Sequence, residues 1–431
     1  MSVRGSTWVR PHLLAIRRGL NVANQLLTIN MITREAVRLW KNANAFLQNV
    51  DMQYDDSFAV SGAKIGSSLR IRLPNDFTVT TGPALNVQDT AEQSTTLVLA
   101  TQKHVDVAYS LADRTLSLDD YSRRILAPMV NNLAGAVAVD LINGSEGGIC
   151  NITANTDVNN AIQAPIASTY LRAGAVLRNN SSPVANWKIV NSPDTEASVV
   201  SSLTGLLNPA PEISRQYVTG RMYDALGFIW MADQTVITHT NGTLAQGSAT
   251  VAGAGQTGLA LTVGALAGSL NIGDIITIAG VHAVNRITKQ TYGRLRTFAV
   301  TANVPTGSTV IPIYPAIVPE IAPGIPQQYQ TVDLSPAAGA AVNPAIGLPA
   351  SSEYTKNFAY APEAVTLATA DLEMPRNVHE AAREEFDGVS MRMVTDYFIG
   401  TDQLITRLDV LYGYLWIRPE WACIVADQVY Q

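Results

Sequence analysis

The chain has 431 residues, enough for two or three domains with a substantial hydrophobic core. Hydrophobic residues make up 47% and charged residues only 15%, below the quarter usual in a soluble monomer, which indicates a surface largely buried against other copies. A Thr-, Ala- and Asn-rich soluble protein would have the same composition. The absence of long apolar runs argues against a membrane span, and two cysteines, Cys150 and Cys423, exclude a disulfide framework.

The net charge of −6 is unevenly distributed. Residues 1–50 hold seven Lys or Arg and one acid, Glu35, so the rest of the chain is strongly acidic. A basic arm on an acidic body indicates an anionic partner for the arm, although a solvated helix face would carry the same charges. The candidate residues, beside an apolar helical stripe, are Arg10, Arg17, Arg18, Arg34, Arg38 and Lys41.

The first half of the chain alternates between helical and extended patterns. Apolar residues at spacings of three and four predict a helix over 12–48, with a break near 28–30. Residues 51–110 change to period two between Pro, Gly, Asn and Asp clusters, which predicts a long extended hairpin. A helix is then predicted over 117–143, where Pro128 should produce a kink.

Shorter predicted elements follow, and the composition of the chain then changes near residue 238. The pattern predicts a helix over 164–179, a buried strand at "WKIVNSP" and a helix from Pro193 to Leu207. From 238 to 353 only eight of 116 residues are charged, and none is Trp. This composition predicts a separate small β-domain with a Pro-rich, extended return segment, inserted between two halves of a host domain.

Near the C-terminus, "RLDVLYGYLWIRPEWACIVA" predicts a central strand, because residues 408–417 are apolar on both alternating faces. Pro419 should end this strand, since proline donates no hydrogen bond to a sheet. A surface patch for a cofactor or carbohydrate is the alternative use of its aromatic residues.

Motifs of enzymes and metal sites match poorly. Residues 253–258, "GAGQTG", fit the spacing of a dinucleotide fingerprint, but a β-like sequence follows where a helix is required. "HEAAR", which begins at His379, lacks the second histidine of a zinc protease helix. The sequence therefore indicates no catalytic residue, no cofactor site and no metal site.

Several stretches, read in order from about residue 50, resemble the major capsid (coat) proteins of short-tailed bacteriophages, the podovirus coat family whose shell domain carries an inserted β-barrel. The segments that carry the resemblance are "GDIITIAGVHAVN", "LRTFAVTA", "VIPIYPAI", "ATADLEMP", "AAREEFDGVSMRMV" and "RLDVLYGYLWIRPEWACIVA". The first 50 residues match only in being a helical arm.

The resemblance implies an α+β protein with the Johnson-type fold of tailed-phage capsids and an inserted β-barrel. In that family the insert aids folding and contacts neighbouring subunits, and the extended loop lies over a neighbour. The implied parts are an N-terminal helical arm, 1–50; an extended loop with flanking strands, 51–110; a peripheral domain, 111–184, with its spine helix at 117–143; an axial domain with returning peripheral strands, 185–237 and 354–425; and the inserted barrel, 238–353.

The resemblance also implies function: a structural protein, not an enzyme, that self-assembles into an icosahedral shell around a phage double-stranded DNA genome. Hexamers and pentamers, T=7 geometry and a procapsid stage are expected. The implied partners are a scaffolding protein and packaged DNA, met by the basic arm on the inner side, a portal protein and a decoration protein, with no membrane. The protein would be a virion component assembled in the host cytoplasm. The alternative is a tail or adhesin-type component, which the Thr-, Gly- and Asn-rich insert would also suit.

Overall fold

The computed structural model describes residues 29–52, 68–80, 82–83, 85, 87–88, 92–109, 122–203, 219, 222, 224–322, 325–386, 388–400 and 403–430. Within these ranges the α-helices are α1 (Ile29–Ala43), α2 (Ala127–Asn143), α3 (Ala167–Asn179) and α4 (Pro193–Leu203). A π-helical turn, Ser122–Leu126, leads into α2. Short 3-10 turns occur at Leu47–Asn49, Ala345–Gly347, Pro362–Ala364 and Pro419–Trp421.

Twenty strands lie in the same ranges, which makes the fold a mixed α+β one, as predicted. They are β1 (Ser68–Arg72), β2 (Ser94–Val98), β3 (Thr101–Tyr109), β4 (Ile152–Thr156), β5 (Ile162–Gln163), β6 (Lys188–Asn191), β7 (Ile229–Ala232), β8 (Thr238–Thr240), β9 (Ala249–Thr250), β10 (Gly258–Thr262), β11 (Ile275–Val284), β12 (Thr291–Val300), β13 (Val310–Ile317), β14 (Ala341–Pro344), β15 (Glu353–Tyr360), β16 (Val365–Ala370), β17 (Glu380–Phe386), β18 (Val389–Phe398), β19 (Gln403–Trp416) and β20 (Ala422–Asp427).

Two sheets form the host part of the chain. The seven-stranded sheet has the order β5-β4-β20-β15-β6-β7, and β8 also pairs with β15. The five-stranded sheet has the order β16-β19-β18-β17, with β3 also paired to β19. β1 and β2 pair antiparallel in a separate two-stranded sheet. The C-terminal segment links the host sheets, because β19 and β20 lie in different ones.

The host's main core is centred on α2, which contributes eight buried residues to it. The stretch Arg123–Asn143 is long and apolar enough to cross a membrane, but half of its apolar window is buried inside the protein. Its apolar composition is that of an internal helix, because the host sheets and α1 pack around it.

The predicted insert contains a closed ring of strands with its own core. Six strands have the order β10-β13-β12-β11-β14-β9. The two ends of that order meet, since Val251 bridges Val263 and the Gly264 N–H donates to the Thr250 carbonyl at 2.9 Å. Eighteen buried apolar residues of 244–342 fill the interior as a cluster separate from the host core. Closure pairs the two outer strands of this order with each other, and so reduces the strand edge that could pair with another chain.

Both ends of the insert leave from one place in the host sheet. β8 pairs antiparallel with the start of β15, where Thr240 lies opposite Glu353. Just beyond, the Asn241 N–H donates to the Ser352 carbonyl at 2.9 Å. Gly242 is required at this neck, because a Cβ atom there would lie 2.2 Å from the Ser269 carbonyl oxygen. A barrel can therefore be inserted without interrupting the host sheet.

Three local predictions differ from the structure, beginning with the arm helix. α1 begins at Ile29, within the predicted break near 28–30, and ends at Ala43 rather than at 48. Residues 12–28 of the predicted helix lie outside the described residues. The Asn44 side chain accepts hydrogen bonds from the backbone N–H groups of Phe46 and Leu47, and this competes with helix continuation. The Asp233 carboxylate also accepts from the Phe46 N–H, so a residue distant in sequence helps to end the helix.

The second difference is at Pro128, which lies in the first turn of α2 and not inside a continuous α-helix. The preceding turn is π-helical, and proline is well tolerated at the first α-helical positions, where its missing N–H has no partner to lose. The predicted helix start at 117 lies outside the described residues.

The third difference is in the Pro-rich return segment of the insert. It does not follow the barrel as a separate segment, because it supplies two strands of the ring, β13 and β14. β13 contains Pro312 and Pro315, and the barrel accommodates both inside a paired strand. The predicted domain boundaries of the host remain predictions.

The predicted central strand at 408–417 is confirmed as β19, with Trp416 only 7% exposed. The Trp416 indole donates to the Leu141 carbonyl at 3.0 Å, and its ring lies 6.3 Å from those of Phe358 and Tyr360. Trp416→Ala should lower the free energy of unfolding by about 3–5 kcal/mol through lost burial and a cavity. Urea unfolding of subunits measures this change.

The matched control for that variant is Trp416→Phe, which keeps an aromatic ring but loses the hydrogen bond. It should cost about 1–2 kcal/mol. Equal stability of wild type and Trp416→Ala would show that this side chain is not packed in the host core.

The separate core of the insert generates a second prediction. Residues 238–355, expressed alone, retain both neck strands and the closed ring, so they should give dispersed amide signals and a cooperative thermal transition. NMR and calorimetry measure these properties. Collapsed, non-dispersed amide spectra would mean that the ring depends on the host for its folding.

Candidate functional site

The structure describes part of the predicted basic set. Arg34 and Arg38 lie one turn apart on the exposed face of α1. Arg38 forms an ion pair with Glu35 at 2.6 Å, and the Glu35 carboxylate partly neutralises the positive charge on this face of α1. Lys41 lies in α1, but its side chain is outside the described residues, as are Arg10, Arg17 and Arg18 altogether.

The opposite face of α1 is fixed to the body of the protein. Ala36, Val37 and Trp40 are almost completely buried and belong to the main core. α1 packs against α2, β17 and β18. Any partner of the basic residues in α1 therefore meets them on a rigid surface.

The segment between β1 and β2 carries exposed apolar side chains. Phe77, Val79, Leu85 and Val87 are between 55% and 90% exposed. Such exposure is unfavourable unless another surface covers it, so this segment is a candidate interaction surface.

A second exposed apolar surface lies at the turn between β18 and β19. Tyr397, Phe398 and Ile399 are consecutive residues, and Ile399 is 85% exposed. The body of this hairpin is buried in the five-stranded sheet, while its tip projects apolar groups into solvent. The tip is thus a second candidate interaction surface.

A buried polar cluster joins the barrel to the host. At its centre is Asp274 of the barrel, which is 3% exposed. One carboxylate oxygen lies 2.8 Å from Nε2 of His239 in β8. The other accepts hydrogen bonds from the backbone N–H groups of Gly242 at 2.9 Å and Asn271 at 2.8 Å. A single carboxylate therefore fixes the neck against the turn that precedes β11.

The host side of this cluster adds a second ion pair. Lys356 Nζ lies 3.1 Å from the Glu146 carboxylate, just beyond the end of α2, and His239 Nδ1 lies 3.8 Å from it. The contact with His239 and the charge of Lys356 lower the pKa of Glu146, against the opposing effect of burial. Burial lowers the pKa of Lys356, which is 1% exposed.

Sequence reasoning missed this cluster, because its members are widely separated along the chain and match no motif. The one local signal was Asp274 in "NIGDIITI", an acid immediately before a fully apolar strand. Charges are rare in the insert, so an acid at that position was a candidate for a buried partner.

The enzyme-like motifs do not form sites. In the described part of the chain no group of three or more His, Cys, Asp or Glu residues could hold a metal ion. Residues 252–255 form bends within the barrel, and the Gln256 side chain forms hydrogen bonds with the backbone of residues 253 and 262. "HEAAR" leads into strand β17 instead of a helix.

Residues 233–425 match the family model described as P22 coat protein, gene protein 5. The match covers the barrel, the neck and the C-terminal strands of both host sheets. No curated protein matches the chain in sequence.

Solved phage structures are similar at low identity. A chain titled "Mycobacterium phage Che8" is 11% identical, with 89% of this chain and 90% of that chain covered and a TM-score of 0.45. "Asymmetric unit of bacteriophage PhiM1 mature capsid" is 12% identical, with 89% and 88% covered and a TM-score of 0.39. "CUS-3 coat protein I-domain" is 29% identical over 23% of this chain and 96% of that one, with a TM-score of 0.18.

The family match, over the barrel and the C-terminal strands of both host sheets, supports the class: the chain is a major capsid protein of a tailed phage and forms its shell. Within that class, the family that it matches is that of the P22 coat protein. The capsid and coat-protein resemblance drawn from the sequence is confirmed.

The cluster around Glu146 predicts a pH dependence of stability. Because the folded-state pKa of Glu146 lies below its ordinary value of 4.5, its stabilisation is present above about pH 4.5 and is lost as the pH falls through the lowered value. Glu146→Gln should therefore lower the free energy of unfolding by about 1–2 kcal/mol at neutral pH and by less in acid.

Urea unfolding of subunits between about pH 7 and pH 3.5 measures this difference. The matched control is Glu363→Gln, which changes an exposed glutamate and should differ little from wild type at any pH. A destabilisation by Glu146→Gln that is constant across this range would contradict the assignment of the ion pair.

Proposed function

We propose that the chain self-assembles, as hexamers and pentamers, into an icosahedral shell that encloses double-stranded DNA. The observation that carries this proposal is the coat-protein match over residues 233–425, since it covers the insert together with strands of both host sheets. The low charge content of the chain supports it, because a subunit of a closed shell buries much of its surface against its neighbours.

The two exposed apolar surfaces are the proposed contacts between subunits. The segment with Phe77, Val79, Leu85 and Val87 is proposed to lie over a neighbouring subunit, and the tip at 397–399 to contact another. Burying several such side chains would contribute about 25 cal/mol per Å² of apolar area, before the ordering cost is subtracted.

The basic residues of the arm are proposed to face the inside of the shell. Arg34 and Arg38 on the exposed face of α1 would extend a positive surface begun by Arg10, Arg17 and Arg18. The partners are acidic groups of a scaffolding protein during assembly and packaged DNA afterwards. Contacts with DNA would be non-specific and would weaken with salt.

The remaining expectations follow from the coat-protein family and belong to the same proposal. They are a procapsid stage, T=7 geometry, a portal protein at one vertex, a decoration protein outside and assembly in the host cytoplasm, with no catalytic activity of the subunit. Residues 241–352 would contribute by folding as a unit and holding the host strands β8 and β15 together.

Negative-stain microscopy of the expressed protein, alone and with its scaffolding protein, tests the proposal. We expect closed shells several hundred ångströms across, of uniform size when scaffold is present. Rods or trimeric fibres would favour a tail or adhesin-type component, and stable monomers with scaffold present would overturn assembly altogether.

Charge reversal tests the role of the arm. Arg17→Glu combined with Arg18→Glu should reduce shells filled with DNA by about tenfold or more, because each lost phosphate contact weakens binding and each new acid repels DNA. The measurement is the ratio of filled to total particles after sucrose-gradient separation.

The matched control is Arg172→Glu, which reverses an exposed helical arginine outside the arm and should leave that ratio within about twofold of wild type. If the double arm variant assembles and packages like wild type, the arm residues form only a solvated helix face.

A further inference from the structure

A cleft of about 250 Å³ lies where three parts of the chain meet. The segment after β1 forms one side, the barrel strands β12 and β13 form the second, and the residues that follow β19 form the third. Its charged side chains are those of Asp76, Arg286, Arg296, Arg418 and Glu420, and its phenols are those of Tyr314 and Tyr329. None of these residues belongs to the neck cluster or to the exposed apolar surfaces.

Both carboxylates of the cleft are already paired. Asp76 accepts from Nε of Arg286 at 3.0 and 2.9 Å. The same carboxylate lies 3.7 Å from Lys289 Nζ. Neither oxygen of Asp76 is therefore free to balance a further cation.

Glu420 is engaged in the same way by three donors. It accepts from Nη1 of Arg286 at 3.2 Å, from Nη1 of Arg418 at 3.3 Å and from the Tyr314 hydroxyl at 3.2 Å. Burial raises the pKa of Tyr314 well above its ordinary value, so the phenol stays protonated and remains a donor.

The positive charge of Arg296 is not neutralised by Asp76 or Glu420, because neither carboxylate forms an ion pair with it. Among the described residues it forms no ion pair, and its buried Nε–H has no hydrogen-bond partner. Its Nη2 lies 3.8 Å from the Cys150 sulfur, a weak acceptor. Burial raises the pKa of that thiol, so it carries no compensating charge at neutral pH.

We infer that the cleft binds a small oxyanion, of phosphate or carboxylate chemistry, against the guanidinium of Arg296. The cleft is lined by three guanidinium groups and two acids, and both acids are used by other donors. Guanidinium groups bind oxyanions with paired N–H donors. The mostly buried charges of Arg418 and Glu420 make the site less screened than open surface.

Two sources could supply this chemistry in a shell: a free oxyanion such as inorganic phosphate, or an acidic side chain of a neighbouring copy. Both require an unfilled cleft in the free subunit. They differ after assembly, because a neighbour's carboxylate would exclude phosphate from the shell, whereas a free oxyanion would remain exchangeable.

Equilibrium dialysis of free, full-length subunits with radiolabelled inorganic phosphate, at constant ionic strength, tests the inference. We expect saturable binding of about one phosphate per subunit. Arg296→Met should weaken it at least about tenfold, because the charged donors are removed while the apolar stem is kept. Absence of saturable binding by the wild type would overturn the site, whatever the variant does.

The matched control is Arg294→Met on the same strand, an exposed arginine that does not line the cleft. It should change phosphate affinity by less than about twofold. Circular dichroism and thermal melting establish that each variant is folded, and Arg296→Lys, which keeps one charge but fewer donors, should bind with intermediate affinity. Equal affinity in Arg296→Met and wild type would also reject the site.

The same dialysis on assembled shells separates the sources. Retained phosphate binding identifies a free oxyanion as the occupant. Loss of binding on assembly, with a new requirement for Arg296 in shell stability, identifies the carboxylate of a neighbouring copy.

Discussion

The antiparallel pairing of Thr238–Thr240 with Glu353–Thr355 is the constraint on which the rest of the structure depends. It brings both ends of a segment of more than a hundred residues to one point of the host sheet. The ring can then form from strand pairs within the insert, while β15 continues into the host next to β20 and β6. The Asp274 carboxylate also fixes the orientation of the barrel relative to the host sheet, because it forms hydrogen bonds with Gly242 and His239 at the neck.

In this arrangement the long-range strand pairing of the host and the folding of the barrel occur in separate parts of the subunit. The host needs long-range pairing, such as β3 with β19 and β4 with β20, which is slow to form. The strands of the barrel pair with one another within residues 249–344, over shorter separations in sequence, and they enclose their own core. A barrel formed early would bring β8 and β15 together and so lower the entropic cost of pairing the host strands. The surfaces left exposed and apolar, near Phe77 and at Ile399, are then available for other copies.

Much of this fold was predictable from patterns within single segments. The apolar faces of β19, the strand "WKIVNSP" and the low charge of the insert each reflect burial of that segment itself. Two predictions differed from the structure for different reasons. The distant residue Asp233 helps to end α1. A π-helical turn just before Pro128, which the apolar spacing does not reveal, places this proline at the start of α2. The cleft around Arg296 was beyond sequence reasoning, because three separate parts of the chain form it.

The central claim, that the extended segment completes its contacts only on a neighbouring subunit, is tested most directly by hydrogen exchange in free subunits and in assembled shells. β1 and β2 form a separate two-stranded sheet, which is marginally stable alone. Amides of residues 68–98 should therefore exchange at least about tenfold more slowly in shells. Amides of β11 and β12 in the barrel should be equally protected in both states. Equal exchange of residues 68–98 in subunits and shells would contradict the account.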